Sequence, residues 1–481
     1  MNNDMWQQLN ENDENKKSCC SLQNRKSRVV LIVVLSVLAL IGVAVLIACL
    51  LLFLKIDKTP IDHDDLNITL IAEVFPDGQR LTAIGINYVS KEKPDQEYII
   101  DNSKLNDKSF SVQERNITSI HSATSLNYPH HVENGKFIII ELNPKDYGAP
   151  LIYEVRETNF QGRKNVTLHM QQLSDIELVN GQIISKSSKI YTNDPDINKS
   201  VNIIIDDFVT RQYINETNPN ENLSYNLFIP KSLRNQDSNN SNDEKYPLVL
   251  FMHDASIKCN DTRMTLFQGV GATVWATDDE QQKRESFVVA PCFNEVIVDD
   301  NFQHTGQYSC IIPMLNDLIN NQFKGRIDTG RLYTTGQSMG CMTSISLMCE
   351  NPNYFASGMF VAGQWDVTVM EALLNQTFWI LCSEADMKAP AQNDKAMENL
   401  ERLGAKISRA RWYGNATEEE KEKSVVDILK EGNDKMYVKF VNHTVMPDDI
   451  PYRPSDEHMY TWKVAYLIDG VREWLFNNHL N

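Results

Sequence analysis

The sequence predicts an α/β domain with a mostly parallel sheet, preceded by an all-β sandwich and, ahead of both, one apolar helix able to span a bilayer. Three observations carry this. Residues 29–54 hold no charged side chain. Residues 66–200 run as short β-branched stretches separated by turn residues. From residue 201 onward, apolar strand-like runs alternate with stretches of helical periodicity. The 481 residues are enough for two or three domains, and the formal net charge of −18 argues against a nucleic-acid partner, since phosphate binding needs a basic surface.

The apolar run reads VVLIVVLSVLALIGVAVLIACLLLFL. A bilayer core takes about 20 apolar helical residues, and this run has no polar face to turn toward water. A cleaved leader would have a shorter apolar region of about 7–15 residues and a small-residue site, whereas this one ends LLLFLKIDKTP. Lys16, Lys17, Arg25, Lys26 and Arg28 precede it, and only Lys55 and Lys58 follow closely. The positive-inside rule then gives a type II protein. Residues 1–28 are a cytoplasmic tail, 29–54 the span and 55–64 a stalk, and the rest lies at the cell surface or in a secretory lumen. Asn-X-Ser/Thr acceptor sites fall at Asn67, Asn116, Asn165, Asn198, Asn215, Asn222, Asn239, Asn260, Asn375, Asn415 and Asn442, all after the span, as a glycosylated ectodomain requires. Cys259, Cys292, Cys310, Cys341, Cys349 and Cys382 also follow it and permit three disulfides in an oxidising compartment. No cysteine spacing matches a zinc site, and no metal or cofactor is expected.

Residues 65–200 form the predicted sandwich. NITLIAEVF, LTAIGINYV, KFIIIELN, LIYEVRE and NVTLHMQQL have strand texture, with turns at Pro76-Asp77-Gly78, Asn134-Gly135 and Asn180-Gly181. The pair His130-His131 reads as surface polarity, because adjacent strand residues face opposite ways. Residues 201–481 form the second domain. YPLVLFMHD, ESFVVAPC, GRLYTTG, SGMFVAG and TFWILCSE read as strands, while CIIPMLNDLINNQF and NDKAMENLERLGA read as helices. That alternation implies a parallel sheet covered on both faces.

The chemistry centres on Gly336-Gln337-Ser338-Met339-Gly340, between an apolar strand and a helix. A strand–turn–helix of this kind forces the serine into a strained turn and lifts its hydroxyl over the sheet edge. The helix N-terminus adds a positive dipole where an oxyanion would form. A serine nucleophile needs a base and an orienting acid, in the chain order Ser, Asp/Glu, His. Asp386, just beyond the run FWILC, is the candidate acid, with Glu384 as rival. Only His443, His458 and His479 follow. His458 precedes the helix-like YTWKVAYLIDGVREWLF and is the candidate base.

Residues 203–477 resemble the "predicted peptidase" group of α/β-hydrolases, related to polyhydroxybutyrate-depolymerase-like and feruloyl-type esterases. YPLVLFMHD, IDTGRLYTTGQSMG, ILCSEAD and HMYTWKVAYLIDGVREWLF carry the likeness. A thermophilic esterase of that group places an immunoglobulin-like domain ahead of its hydrolase domain, as residues 65–200 would stand here. The resemblance implies Ser338, Asp386 and His458 as the triad, and an oxyanion hole from Met339 N–H with a second donor from Asp254 or Ala255. The chain departs from the pattern in five places. His253-Asp254 replaces His-Gly, and ASIKCNDT replaces the glycine-rich loop after it. Cys341 replaces a second glycine, Glu457 replaces the glycine before the histidine, and an insertion spans residues 415–435. Between Gly363 and Phe378 there is room for one short helix, so no large lid is expected over the cleft.

Two functions fit. The first is a serine hydrolase acting on a small ester or peptide through an acyl-enzyme. The second is an inactive hydrolase-like surface protein used for binding or adhesion, suggested by the altered oxyanion loop and the acceptor site at Asn260.

Overall fold

The computed structural model describes residues 33–47, 65–89, 96–155, 160–215, 218, 221–234 and 244–480. Residues 33–47 are helical with every side chain exposed. Among the described residues no helix is long and apolar enough to cross a membrane. The rest of the 29–54 segment, the tail 1–28, the stalk 55–64 and the acceptor site at Asn239 lie outside the described residues.

The N-terminal domain is a sandwich. A long hairpin, Asp65–Phe75 with Gly78–Val89, continues through Phe137–Leu142 to Ile117–Ala123 in one antiparallel sheet. A three-stranded sheet, Tyr191–Thr192, His169–Gln172 and Phe110–Val112, lies apart from it in the hydrogen-bonding scheme. Alternate residues point inward, so Leu70, Ile84, Ile86, Ile138, Ile140, Met170 and Tyr191 share one core. Val201–Asn202 pairs in parallel with Ile71 and Ala72, so this sheet runs past residue 200, where composition alone places the domain boundary.

The second domain holds a nine-stranded sheet. Its order is Val209–Ile214, Asn222–Phe228, Phe287–Cys292, Tyr246–Met252, Ile327–Gln337, Ser357–Val361, Phe378–Ser383, Lys435–Phe440 and Ile407–Trp412. The first two are antiparallel additions and the other seven run parallel. The parallel strands are buried on both faces, which is why they read as unbroken apolar runs. One apolar layer packs around Leu250, Met252, Met339 and Phe360, and the other around Phe251, Trp275, Trp379 and Tyr466. The insertion at 415–435 is mostly one helix, Glu418–Leu429, started by a capping box between Thr417 and Glu420. Between Gly363 and Phe378 the one helical element is a short turn, Val369–Leu373.

One disulfide, Cys259–Cys292, forms. Cys310, Cys341, Cys349 and Cys382 are free thiols buried in the core, so the six cysteines make one bridge rather than the three they permit.

A buried ion cluster fixes the C-terminal helix Asp469–Phe476. Glu280, 2% exposed, accepts from Arg284 Nε at 2.6 Å and from Arg472 Nε at 3.0 Å. Arg284 and Arg472 both also pair with Asp469. Glu280→Ala leaves two guanidinium groups in a site with little water. We expect a loss of about 3–5 kcal/mol, as for other broken buried pairs, read as a lower urea midpoint.

Candidate active site

The strand Ile327–Gln337 ends at Ser338, and the helix Met339–Glu350 begins immediately after it. Ser338 has φ 54° and ψ −118°, a strained conformation for a residue with a side chain. Its neighbours show why glycine is needed. A Cβ on Gly340 would lie 2.0 Å from the carbonyl oxygen of Met252, and one on Gly336 would lie 2.4 Å from the main chain of Gly340. The turn therefore rests against the end of the adjacent strand, Tyr246–Met252. Cys341 stands where the related pattern has glycine. Its side chain packs against Gly363, where an added Cβ would lie 2.7 Å from Cys341 Sγ.

The structure brings Ser338, His458 and Asp386 together. His458 Nε2 lies 2.9 Å from Ser338 Oγ, and its Nδ1 lies 2.6 Å from Asp386 Oδ2. The three come from elements far apart in sequence but at one edge of the sheet. Asp386 follows the strand Phe378–Ser383 and sits in a turn, where its Oδ1 accepts N–H groups of Lys388 and Ala389 at 3.0 and 3.3 Å. Burial alone would raise its pKa. The hydrogen bond and charge of His458, with those two N–H groups, outweigh burial and hold the carboxyl below its usual range. The side chains grade from a buried acid, 3% exposed, to an imidazole 30% exposed. Ser338 is half-buried. Water is thus excluded where the charge is permanent and admitted where a substrate must enter.

His458 lies inside the helix Pro454–Ala465, which starts earlier than the apolar pattern suggests because Pro454 stands in its first turn, with Asp456 and Glu457 close behind. Glu457 is fully buried. Its Oε2 accepts the Ser383 hydroxyl at 2.6 Å and its Oε1 accepts the His443 N–H at 2.8 Å. This carboxylate ties the histidine-bearing helix to the ends of two strands. Sequence reading marks Glu457 as a departure from a glycine but gives no sign of the tether. The rivals are engaged elsewhere. Glu384 is paired with Arg411 and accepts the Asn442 N–H, and its carboxyl is lowered first by the Arg411 bond. The His443 ring stacks on Tyr452 at 3.8 Å. His479 is exposed in the terminal segment.

Met339 opens its helix, so its N–H belongs to the first-turn donors that lack an intrahelical acceptor. Across the cleft Asp254 is 5% exposed. Its carboxylate accepts from Gln337 Nε2 at 2.8 Å and from the Ser256 N–H at 2.8 Å, while Ala255 is exposed. His253 is buried and uncharged in character, since burial lowers its pKa. It donates from Nδ1 to the Asp254 carbonyl at 2.6 Å and accepts the Phe293 N–H at Nε2 at 3.0 Å. The disulfide Cys259–Cys292 joins the same two segments. The sandwich domain also reaches this loop. Gln161 N–H donates to the Ser256 carbonyl at 2.8 Å, and the Lys258 ammonium lies 3.8 Å from the centre of the Phe160 ring.

The cavities of about 700, 570 and 520 Å3 do not include Ser338. Of the acceptor asparagines, Asn67, Asn116, Asn165, Asn198, Asn260, Asn375, Asn415 and Asn442 are exposed, while Asn215 and Asn222 are half-buried.

Residues 67–185 match the family described as the esterase Ig-like N-terminal domain. The whole architecture is similar to that of a thermostable esterase, with 22% identity over 86% of this chain and 100% of that one, at a TM-score of 0.67. The fold is therefore an α/β-hydrolase domain behind an Ig-like domain. A ferulic acid esterase aligns at 12% identity over 56% of this chain and 98% of its own, with a TM-score of 0.33. An S-formylglutathione hydrolase from Staphylococcus aureus aligns at 12% identity over 56% and 98%, with a TM-score of 0.31. No curated protein sequence matches the chain.

Glu457→Ala removes the acceptor of one buried hydroxyl and one main-chain N–H. The expected cost is about 3 kcal/mol, and Glu457→Gln, which keeps the shape and an acceptor, should cost less than half of that. Urea unfolding of both variants measures the difference.

Proposed function

We propose that this protein is a serine hydrolase acting on carboxylic esters or peptides through an acyl-enzyme, displayed on the extracellular or lumenal side of a membrane. The observation that carries the reading is the relay of 2.9 Å from Ser338 to His458 and 2.6 Å from His458 to Asp386. Ser338 Oγ attacks the substrate carbonyl carbon as His458 Nε2 takes its proton. Negative charge on the carbonyl oxygen meets the Met339 N–H and a main-chain N–H of the Asp254–Ala255 segment. His458 then gives the proton to the leaving group as the acyl-enzyme forms. Water, deprotonated by His458, attacks the acyl carbon and restores the serine. Asp386, held ionised, fixes the imidazole tautomer and stabilises the imidazolium. A small ester is the substrate class this reading takes.

A second reading has its own support. The loop that would supply the second oxyanion donor carries Asp254 where the related pattern has glycine, and the Asp254 carboxylate is buried and occupied by Gln337 and Ser256. On that reading the ectodomain binds a partner and performs no turnover. A fluorophosphonate probe on the full-length protein separates the two. Labelling that Ser338→Ala abolishes supports the hydrolase, and absence of labelling and ester turnover in the wild type supports the binding protein. His458→Ala should lower turnover by about 10⁴-fold or more, as loss of a triad member does, while His443→Ala should change it little.

Membrane display rests on the basic residues before residue 29, the apolar segment 29–54 and the exposed acceptor asparagines after it. Intact cells treated with protease should lose the region after residue 64. A glycan-removing enzyme should lower its apparent mass. Protection from protease without a mass shift would reverse the orientation.

A further inference from the structure

Three potential metal-ligating side chains converge on the outer face of the sandwich, far from Ser338 in sequence and on a different domain. His121 lies on the strand Ile117–Ala123 and Glu141 on the neighbouring strand Phe137–Leu142, where Glu141 pairs with Ser119 and His121 pairs with Ile139. Two positions along one strand return to the same face, so the side chains of His121 and Glu141 project together. His130, from the connection between these strands, closes over them. One ligand atom from each of His121, His130 and Glu141 lies within 4.8 Å of the other two.

The hydrogen bonds around this cluster leave it incomplete. His130 Nε2 lies 3.2 Å from the Leu126 carbonyl oxygen, which can only accept, so Nε2 carries a proton. That leaves Nδ1 facing Glu141 Oε1 at 3.5 Å, with the His130 side chain 6% exposed. His121 Nε2 is buried and has no hydrogen-bond partner among the described residues. A buried polar nitrogen without a partner is costly and calls for an explanation. The orphaned His121 nitrogen, beside a second imidazole and a carboxylate, belongs to a donor set that a dication would satisfy.

We propose that His121, His130 and Glu141 form a binding site for a divalent transition-metal ion of the zinc type, which clamps the 124–136 connection onto the sandwich. Two imidazoles and one carboxylate suit such an ion, with the fourth position taken by water. Ligand atoms around tetrahedral zinc sit roughly 3.3 Å apart, given bonds of about 2.0–2.2 Å, so side-chain rotations of about 1 Å close the cluster. The Leu126 carbonyl plays the orienting part that metal-bound histidines use to fix their tautomer. Glu73 and Tyr128, whose ring lies edge-on to His130 at 5.9 Å, line the cavity of about 700 Å3 that the sandwich shares with Asp206, Asp207 and Lys231. Ordering Asn127 and Tyr128 would therefore shape the cleft between the two domains.

The test uses the full-length chain in detergent, with any affinity tag removed, stripped with chelator and titrated with Zn2+ by calorimetry. One saturable site is expected, with Co2+ giving the visible absorption of a low-coordinate ion. His121→Gln and Glu141→Gln should each weaken binding by about tenfold or more, while His131→Gln and His169→Gln should not. Wild-type protein gives an independent readout, since Zn2+ should shield His121 and His130 from diethyl pyrocarbonate. Absence of a saturable site in the wild type overturns the proposal. So does Zn2+ binding that leaves His121 and His130 unshielded and is unchanged in His121→Gln, because the ion then sits elsewhere.

Discussion

Ser338 can hold its left-handed φ because two stretches of main chain touch where side chains would not fit. Gly340 rests on the Met252 carbonyl, and Gly336 rests on Gly340. This contact sets the start of the helix Met339–Glu350 against the ends of three adjacent parallel strands, those finishing at Met252, Gln337 and Val361. The strain at a residue held this way is about 1–3 kcal/mol. The helix offsets it by burying nearly its whole length, from Met339 to Cys349, in the core between sheet and solvent. Helix, turn and strand thus form one rigid unit, and the hydroxyl has no freedom to sink back into the sheet.

The rest of the relay is built by progressive tethering to that unit. Asp386 is fixed by the N–H groups of the helix it precedes. His458 depends on a helix that has no side-chain cap of its own. Its position comes instead from Glu457, whose carboxylate reaches Ser383 on one side and the His443 main chain on the other. Ser383 lies only three residues before Asp386, so the acid and the base are referred to the same strand end. A glycine before the histidine could not provide this link, and the departure from the related pattern is a change in how the base is held.

Much of this is legible in the sequence, and the limit has a physical pattern. The parallel strands declare themselves because strands buried on both faces are continuous apolar runs, as in YPLVLFM and FWILC. The elbow is legible because glycine, serine and glycine fall at a strand–helix junction. Chain order then narrows acid and base to Asp386 or Glu384 and to three histidines. What escapes are pairings whose partners are distant and whose residue types are ordinary. The Val201–Asn202 strand joins a sheet whose partner is some 130 residues earlier. Glu457 looks like surface charge until the fold buries it. The Cys259–Cys292 bridge is one of many pairings that composition permits. His121, His130 and Glu141 meet only through strand register, and reading His130 with its chain neighbour His131 points away from the partners it has in space.

The loop after His253 shows how a structural requirement can survive the loss of the residues that usually meet it. A glycine-rich loop can approach a nucleophile closely because it lacks side chains. Here the loop carries Asp254, Ser256, Lys258 and Cys259, and it is held from several sides at once. Gln337, the residue before Ser338, grips the Asp254 carboxylate. His253 bridges to the Phe293 main chain, and the disulfide repeats that connection one residue earlier on the neighbouring strand. The Ig-like domain adds a main-chain bond from Gln161 and the Phe160 ring beneath Lys258. Closing a loop of 33 residues by a disulfide removes roughly 3–4 kcal/mol of chain entropy from the unfolded state. That adds to the local turns the segment forms itself, where the Asp254 carboxylate accepts the Ser256 N–H. The first domain therefore braces the loop after His253 from outside, so the placing of Asp254 beside Gln337 depends on how the two domains are joined.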